Sequence, residues 1–320
     1  MVSAAFASLV GQPQAVELLS QAIRRDRIAP AYLFVGPDGV GRSLAAQLFL
    51  AALLSASGVG DQGRSRLENH PDILRVEPTY QHQGKLMTAA TLKEKGIALP
   101  KSRPQVRLEQ IRDITHFLSQ RPMEASRLLV VIEEAQTMGE AAANGLLKTL
   151  EEPGHGTLIL LATSVETLLP TIVSRCQRIP FYRLSTDHFR IVLQQMGRED
   201  LLSHTELIGM AQGSPGHALD DWEKLQTVPP EVLQACLTPP SSAKACLDLA
   251  RQIDKGLDVE SQLWLLDYLQ QRYWLYYRHL AFLQPLEAAK KYLTHYVQPQ
   301  LVWEVTLLNL IQETKRKATD

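Results

Sequence analysis

Short apolar runs alternate with helical patterns through the first half of the chain. The runs at residues 32–35, 73–76, 128–132, 158–162 and 179–181 have the length and composition of buried strands. Between them, residues 44–54, 107–118 and 141–150 carry apolar positions at helical spacing. Strands that alternate with helices predict an α/β fold, with a parallel sheet covered by helices on both faces.

Strand patterns stop near Phe181, and the remainder of the chain has helical patterns. The Gly-Ser-Pro-Gly run at 213–216 and the proline pairs at 229–230 and 239–240 are typical of breaks between helices. We therefore expect three domains. They are an α/β domain at residues 1–181, a small helical lid at 182–225 and an all-helical domain at 226–320.

Aromatic residues crowd into one stretch of the last domain, residues 264–282. Trp and Tyr fill helical cores, but they are also favoured at subunit interfaces. Both interpretations stay open, because one helix can serve a core and an interface at once.

Composition is that of an ordinary globular protein, with 45% hydrophobic and 21% charged residues among 320. The net charge of −1 provides no overall field towards nucleic acid or membrane. The three cysteines form no C-x-x-C pair, which argues against structural zinc and disulfides and indicates a reducing cytoplasm. We expect neither a signal peptide nor a membrane span, since the N-terminus has no basic start and charges interrupt residues 264–286.

A polar insertion with two prolines occupies residues 79–105. Its basic side chains are Lys85, Lys93, Lys95, Lys101 and Arg103. Such a segment could bind DNA, but a solvated surface loop is the preferred interpretation.

The first candidate site is a phosphate-binding loop. Residues 36–43 read Gly-Pro-Asp-Gly-Val-Gly-Arg-Ser, which matches G-x-x-x-x-G-K-[ST] except that Arg42 replaces the lysine. Glycines let backbone N–H groups face a phosphate, and the following helix directs its positive end there. Arg42 keeps the charge in a bulkier, forked shape, and Ser43 keeps the hydroxyl that would ligate Mg²⁺. The candidate residues are Gly36, Gly39, Gly41, Arg42 and Ser43.

Two acids, Glu133 and Glu134, follow the third predicted strand. In P-loop ATPases an acid at this place holds Mg²⁺ and a second can activate water. Glu133 is one methylene longer than the aspartate of the strong pattern, so its fit to a metal is changed. The alternative is that both acids form a charged strand end exposed to water. The pair supports an ATP site only because it follows a phosphate-binding loop in the chain.

Longer strings resemble the bacterial clamp-loader branch of the AAA+ ATPases. They are Asn-Gly-Leu-Leu-Lys-Thr-Leu-Glu-Glu-Pro at 144–153, Leu-Leu-Ala-Thr at 160–163, Ser-Arg-Cys at 174–176 and Leu-Val-Gly-Gln at 9–12. The resemblance implies a P-loop AAA+ parallel-sheet domain, a small helical lid and an all-α C-terminal collar that oligomerises.

The resemblance also implies roles for individual residues. The Ser-Arg-Cys arginine of this family reaches the ATP site of the adjacent subunit, so Arg175 is expected to be catalytic in trans, as an arginine finger. It should lie on the surface, after a strand and away from its own loop. Thr163 matches the polar residue that senses the γ-phosphate. His217 occupies the lid position at which a hydrolysing subunit carries arginine.

Arg42, Glu133 and His217 all depart from the hydrolysing pattern, so the resemblance implies a weak or absent ATPase. The implied cofactor is ATP, with Mg²⁺ only when nucleotide is bound. Many members carry a four-cysteine zinc module, but residues 55–69 contain no cysteine, so no zinc is expected. The alternative is an active AAA+ ATPase, as a loader motor or in another remodelling machine.

The implied partners are the gamma/tau-type ATPases and delta, in a hetero-oligomeric ring of the DNA polymerase III holoenzyme. Through that ring the chain would meet the sliding clamp and primed DNA. No membrane partner is expected.

Overall fold

The computed structural model describes residues 4–56, 67, 69–100 and 102–317. Lys101 of the insertion lies outside the described residues, as do 57–66 and 68 of the cysteine-free stretch. The chain divides into two compact units, residues 1–189 and 190–320. The finer division into three domains stays a prediction.

A five-stranded parallel sheet forms the centre of the first unit. Two more strands, β3 and β4, pair with each other outside this sheet. In chain order the strands are β1 Ala31–Val35, β2 Ile73–Val76, β3 Tyr80–His82, β4 Lys85–Met87, β5 Leu128–Ile132, β6 Gly156–Ala162 and β7 Gln177–Pro180. The order in the sheet is β2-β5-β6-β1-β7. All five predicted strands are present, and the last begins two residues earlier than predicted.

Helices follow the strands in the predicted alternation. They are α1 Pro13–Arg24, α2 Arg42–Ala56, α3 Ala89–Glu94, α4 Leu108–Leu118, α5 Glu140–Glu151, α6 Pro170–Val173 and α7 Thr186–Gln195. A short 3-10 helix, Ala135–Thr137, precedes α5.

Neighbouring residues of the central strands face opposite sides of the sheet. Leu33 joins a buried cluster with Ile111 of α4. Tyr32 and Phe34 point the other way and pack against Phe49 of α2, with ring centroids 5.1 and 6.5 Å apart. Strands that are apolar along their whole length are needed when both faces are buried, and the predicted coverage of both faces is confirmed.

The insertion at 79–105 has more structure than the predicted loop. β3 and β4 pair as an antiparallel hairpin, and α3 follows. The backbones of Thr79 and Gln105 exchange hydrogen bonds of 2.9 and 3.1 Å, which close the base of the insertion. Tyr80 and Leu92 are buried, and these two apolar residues explain why the segment folds.

The described residues of the second unit contain helices and no strand, as predicted. Beyond α7 the helices are α8 Thr205–Ala211, α9 Pro215–Thr227, α10 Pro230–Cys236, α11 Ala243–Gly256, α12 Val259–Tyr277, α13 Leu283–Thr294 and α14 Pro299–Lys317. In the aromatic stretch Tyr273 and Phe282 are buried, whereas Trp274 and Tyr276 are 44% and 67% exposed. No helix in the described part of the chain has both the length and the apolar character to cross a membrane.

Candidate functional site

Three predicted site segments lie together at the C-terminal ends of the parallel strands. β5, β6 and β1 are adjacent, and their C-terminal ends are nearly level, with Val35 paired to Ala162. The amide of Gly36 donates to the carbonyl of Ala162 at 3.2 Å, which ties the start of the loop to β6. The residues that follow these three strand ends are Gly36, Glu133 and Thr163.

The loop at 36–41 depends on glycine at its start and at its end. A Cβ on Gly36 would lie 2.3 Å from the carbonyl oxygen of Phe181, so only glycine lets β1 approach the end of β7 this closely. Gly41 has a φ of +105°, a conformation that side chains rarely adopt. Gly39 lies between them, and α2 begins directly after Gly41.

Arg42 is buried at the first position of α2, with 8% of its surface exposed. Its Nη2 forms an ion pair with the carboxylate of Asp38, a residue of the same loop. Its Nη1 is buried and has no hydrogen-bond partner among the described residues. The loop therefore carries both a cation suited to phosphate and an acid that competes with phosphate for that cation.

Ser43 and Glu133 meet across the site. The hydroxyl of Ser43 donates to Oε2 of Glu133 at 3.1 Å. Burial raises the pKa of Glu133, although the Ser43 hydroxyl and the guanidinium of Arg75 oppose this rise. Burial, followed by the charge of Asp38, also raises the pKa of Glu134. Both acids would gain from a cation beside them.

Thr163 directly follows β6, and a residue that comes after β5 binds its backbone. Its backbone N–H donates to Oε1 of Gln136 at 3.4 Å. Gln136 belongs to the 3-10 helix that begins directly after Glu134. The structure thus places Thr163 beside the acidic segment, and its role as a γ-phosphate sensor stays a prediction.

Gln12 supports the loop in a way that sequence reasoning did not assign. It is buried, and its Nε2 donates to the carbonyls of Val40 at 3.2 Å and Tyr182 at 2.7 Å. Its Oε1 accepts from the amide of Tyr182 at 3.1 Å. The sequence feature that could have indicated this role is a glutamine directly before Pro13, the first residue of α1. A polar side chain at that position can bond to nearby backbone groups.

The Ser-Arg-Cys segment lies directly before the start of β7, at the end of the sheet away from the phosphate-binding loop. The expectation that it follows a strand was wrong, because the short helix α6 comes directly before it and β7 begins after it. Ser174 donates its hydroxyl to the carbonyl of Thr171 at 3.0 Å. Cys176 packs against the core, and burial raises the pKa of its thiol to about 12. Ser174 and Cys176 thus fix the segment that carries Arg175.

Arg175 is 35% exposed at its side chain and bonded on two sides. Its Nε and Nη2 donate to Oε1 of Glu151 at 3.0 and 2.5 Å. Its Nη1 donates to the carbonyl of Thr171 at 3.0 Å. The side chain is therefore held at the surface by the end of α5 and by the helix before it.

His217 lies in the second unit, in the first turn of α9. Its backbone N–H bonds the hydroxyl of Ser214 at 3.3 Å, which caps that helix. Within the described part of the chain, no three His, Cys, Asp or Glu side chains converge as a metal site.

The first-unit residues fit a nucleotide. The buried Nη1 of Arg42, which no described residue bonds, and the glycine loop suit phosphate oxygens. The oxygens of Ser43 and Glu133 are of the kind that Mg²⁺ prefers.

Comparison with known families gives two matches along the chain. Residues 11–185 match the family described as DNA polymerase III, delta subunit, which is more than half of the chain. Residues 187–310 match the family described as Cyanobacterial DNA polymerase III delta prime, C-terminal domain. The junction of the two matches lies close to the division between the compact units.

Individual relatives bear related names. The chain is 34% identical over 181 residues to DNA polymerase III subunit delta' of Bacillus subtilis, covering 54% of this chain and 48% of the relative. It is 31% identical over 211 residues to the delta' subunit of Pseudomonas aeruginosa, covering 62% and 57%. The chain thus spans about half the length of the curated relatives it matches.

A solved structure supports the fold. A DNA polymerase III gamma subunit-related protein from Thermotoga maritima superimposes with a TM-score of 0.55, covering 93% of this chain and 99% of that one. The sequence identity is 16%, so this likeness concerns the fold alone.

Proposed function

The chain belongs to the family described as DNA polymerase III, delta subunit, and on that premise we propose that it is a clamp-loader subunit whose Arg175 serves a neighbour's ATP. In this proposal the chain is a fixed member of an ATP-driven ring. It contributes little or no hydrolysis of its own. The ring loads the sliding clamp onto primed DNA within the DNA polymerase III holoenzyme.

The position of Arg175 is the observation that carries the proposal. In the sheet, Gln177 pairs with Tyr32, and Gly36 follows Tyr32 by four residues. At about 3.3 Å per residue, the start of β7 is about 13 Å from the loop along the strand direction. Arg175 precedes even that point, so its guanidinium lies far from its own loop, and a phosphate that it serves would belong to another subunit.

The nucleotide site of this chain supports binding better than hydrolysis. We propose that Gly36, Gly39, Gly41 and Arg42 hold the phosphates of ATP, and that Ser43 and Glu133 hold Mg²⁺ when the nucleotide is present. Glu134 and Thr163, which follow the ends of β5 and β6, would lie near the γ-phosphate of a bound nucleotide. Bound Mg²⁺ supplies charge stabilisation to a transferring phosphoryl group. Asp38 weakens the contribution of Arg42, because its carboxylate already pairs with that guanidinium.

The partners follow from the same proposal. Gamma/tau-type ATPases and delta are the other members of the ring. The α/β domain at 1–181 faces its neighbour through Arg175, the lid occupies 182–225, and the collar at 226–320 holds the subunits together. The Trp274 and Tyr276 side chains, which are exposed in the isolated chain, suit a subunit contact. We place the assembly in the cytoplasm, consistent with three free cysteines.

The proposal is tested by clamp loading. A ring reconstituted with Arg175→Ala should assemble normally and load clamps onto primed DNA more slowly than the unmodified ring. Arg175→Lys should rescue poorly, since an ammonium group cannot reproduce the guanidinium fork. Normal loading by a fully assembled Arg175→Ala ring would refute the proposal.

The Ser43–Glu133 contact favours a second candidate, an active AAA+ ATPase, since it brings together the two residues that we propose to hold Mg²⁺. ATP turnover by the isolated chain separates the two. We expect a rate below about 1 s⁻¹, and a rate at or above that typical value would favour the active ATPase.

A further inference from the structure

One carboxylate holds the guanidinium of Arg175 along a single edge. Oε1 of Glu151 receives both the Nε and the Nη2 hydrogen bonds, at 3.0 and 2.5 Å. The carbonyl of Thr171 accepts from Nη1 at 3.0 Å, and the hydroxyl of Ser174 lies 3.5 Å from the same nitrogen. A guanidinium has five N–H groups, so these contacts still leave an N–H of Nη2.

This arrangement lets Arg175 meet a phosphate without leaving Glu151. The Arg175 side chain is 35% exposed, and the Glu151 side chain is 52% exposed. A group that is already held in its working orientation loses less conformational freedom when its target arrives. The contact with Glu151 offsets part of the charge of Arg175, as Asp38 does for Arg42, but it also orients the guanidinium and leaves an N–H of Nη2 for a ligand.

Glu151 occupies a position where helix electrostatics disfavour an acid. It is the last residue of α5, and the negative end of the helix dipole lies there. An exposed ion pair adds little to folding stability, so stability alone does not account for an acid in that place. The ion pair with Arg175 distinguishes Glu151 from Glu152, the acid that follows it at the same helix end.

We propose that Glu151 is a positioning residue for Arg175 and fixes the plane of its guanidinium towards the phosphate held by the adjacent subunit. This inference rests on the proposed function. Glu151 itself touches no nucleotide in this account.

The test uses full-length variants in the reconstituted ring. Glu151→Ala should lower kcat for ATP about tenfold at the neighbour's site, because small misplacements of a reacting group cost large factors in rate. KM should change little, since the finger acts on the transition state. Glu151→Gln keeps an oxygen acceptor and should restore most of the rate. The matched control is Glu152→Gln, the adjacent exposed acid, which forms no bond with Arg175 and should leave the rate unchanged.

A double-mutant cycle separates the possible outcomes. In an Arg175→Ala background, Glu151→Ala should cause no further loss, because the two residues act as one unit. An equal loss in that background would mean that Glu151 acts through α5, and would overturn the inference. If Arg175→Ala slows turnover but Glu151→Ala does not, the inference fails while the proposed function stands. If Arg175→Ala itself changes nothing, both fail.

Discussion

Asp72 offers a quantitative test of how the acidic edge of the site is supported. Its side chain accepts three backbone hydrogen bonds, each 2.7 Å long, from Met123, Glu124 and Ala125. Asp72 is only 1% exposed, and the turn that it holds leads into β5, which ends at Ile132, directly before Glu133. Asp72→Asn removes the charge while it keeps the shape.

The expected loss follows from these bonds. A hydrogen bond to a charged group contributes about 1.5–3 kcal/mol. Asparagine keeps one oxygen for some of the three donors, but its NH₂ group faces at least one backbone N–H. We therefore expect Asp72→Asn to lower the free energy of unfolding of the first unit by about 3 kcal/mol.

Acid sensitivity supplies a second readout of the same residue. Burial alone would raise the pKa of Asp72, but the amides of Ala125, Met123 and Glu124 outweigh it and lower the pKa. A depressed folded pKa gives stability that is present above the unfolded pKa of about 3.9 and is lost as pH falls through the folded value. Asp72→Asn should remove this part of the acid-induced loss.

The assay is urea unfolding followed by amide hydrogen exchange of peptides from β5. Tryptophan fluorescence cannot serve, because all four tryptophans lie beyond residue 189. Asp113→Asn is the matched control, since Asp113 is an exposed acid of the same unit. If Asp72→Asn and Asp113→Asn unfold at the same urea concentration, the three hydrogen bonds do not support the turn as reasoned.

Two further predictions concern close packing. Gly36→Ala should lower the free energy of unfolding by about 2–3 kcal/mol, because the new Cβ would lie 2.3 Å from the Phe181 carbonyl oxygen. Thermal unfolding measures this, with Gly139→Ala as a control in open space, and equal midpoints would contradict it. Cys176, whose pKa burial raises to about 12, should react with iodoacetamide at pH 8 about 100-fold more slowly than an ordinary thiol. Mass spectrometry measures that labelling, and rapid labelling of the native protein would refute the assigned burial.

The central strands β1, β5 and β6 could be predicted from the sequence because their runs at 32–35, 128–132 and 158–162 are apolar throughout. Leu128–Ile132 is buried along its length, as expected for a strand at the centre of a sheet that is covered on both faces. The structure of the insertion at 79–105 was harder to predict, because its fold depends on two buried side chains, Tyr80 and Leu92, within an otherwise polar segment.

The sequence points to the candidate site residues but not to the contacts between them. The loop and the Arg175 segment carry local patterns that a single sequence displays. The Asp38 pair with Arg42, the Glu151 pair with Arg175 and the Gln12 support join residues by geometry that spacing does not reveal. The prediction of a strand before Arg175 was wrong, because the short helix α6 lies there and begins at Pro170. The few apolar residues of α6 do not distinguish a helix from a strand.

The central claim is that Arg175 acts on ATP held by another subunit, and the most direct measurement disables the chain's own site first. Rings are built with Ser43→Ala in this chain, with and without Arg175→Ala, and ATP hydrolysis by the ring is measured. Arginine fingers contribute about 10³–10⁵ in rate at the site they serve, and a ring with several sites shows a smaller net loss. We expect Arg175→Ala still to slow hydrolysis when Ser43 is replaced by alanine. If the effect of Arg175→Ala disappears in the Ser43→Ala ring, Arg175 serves its own loop and the account is contradicted.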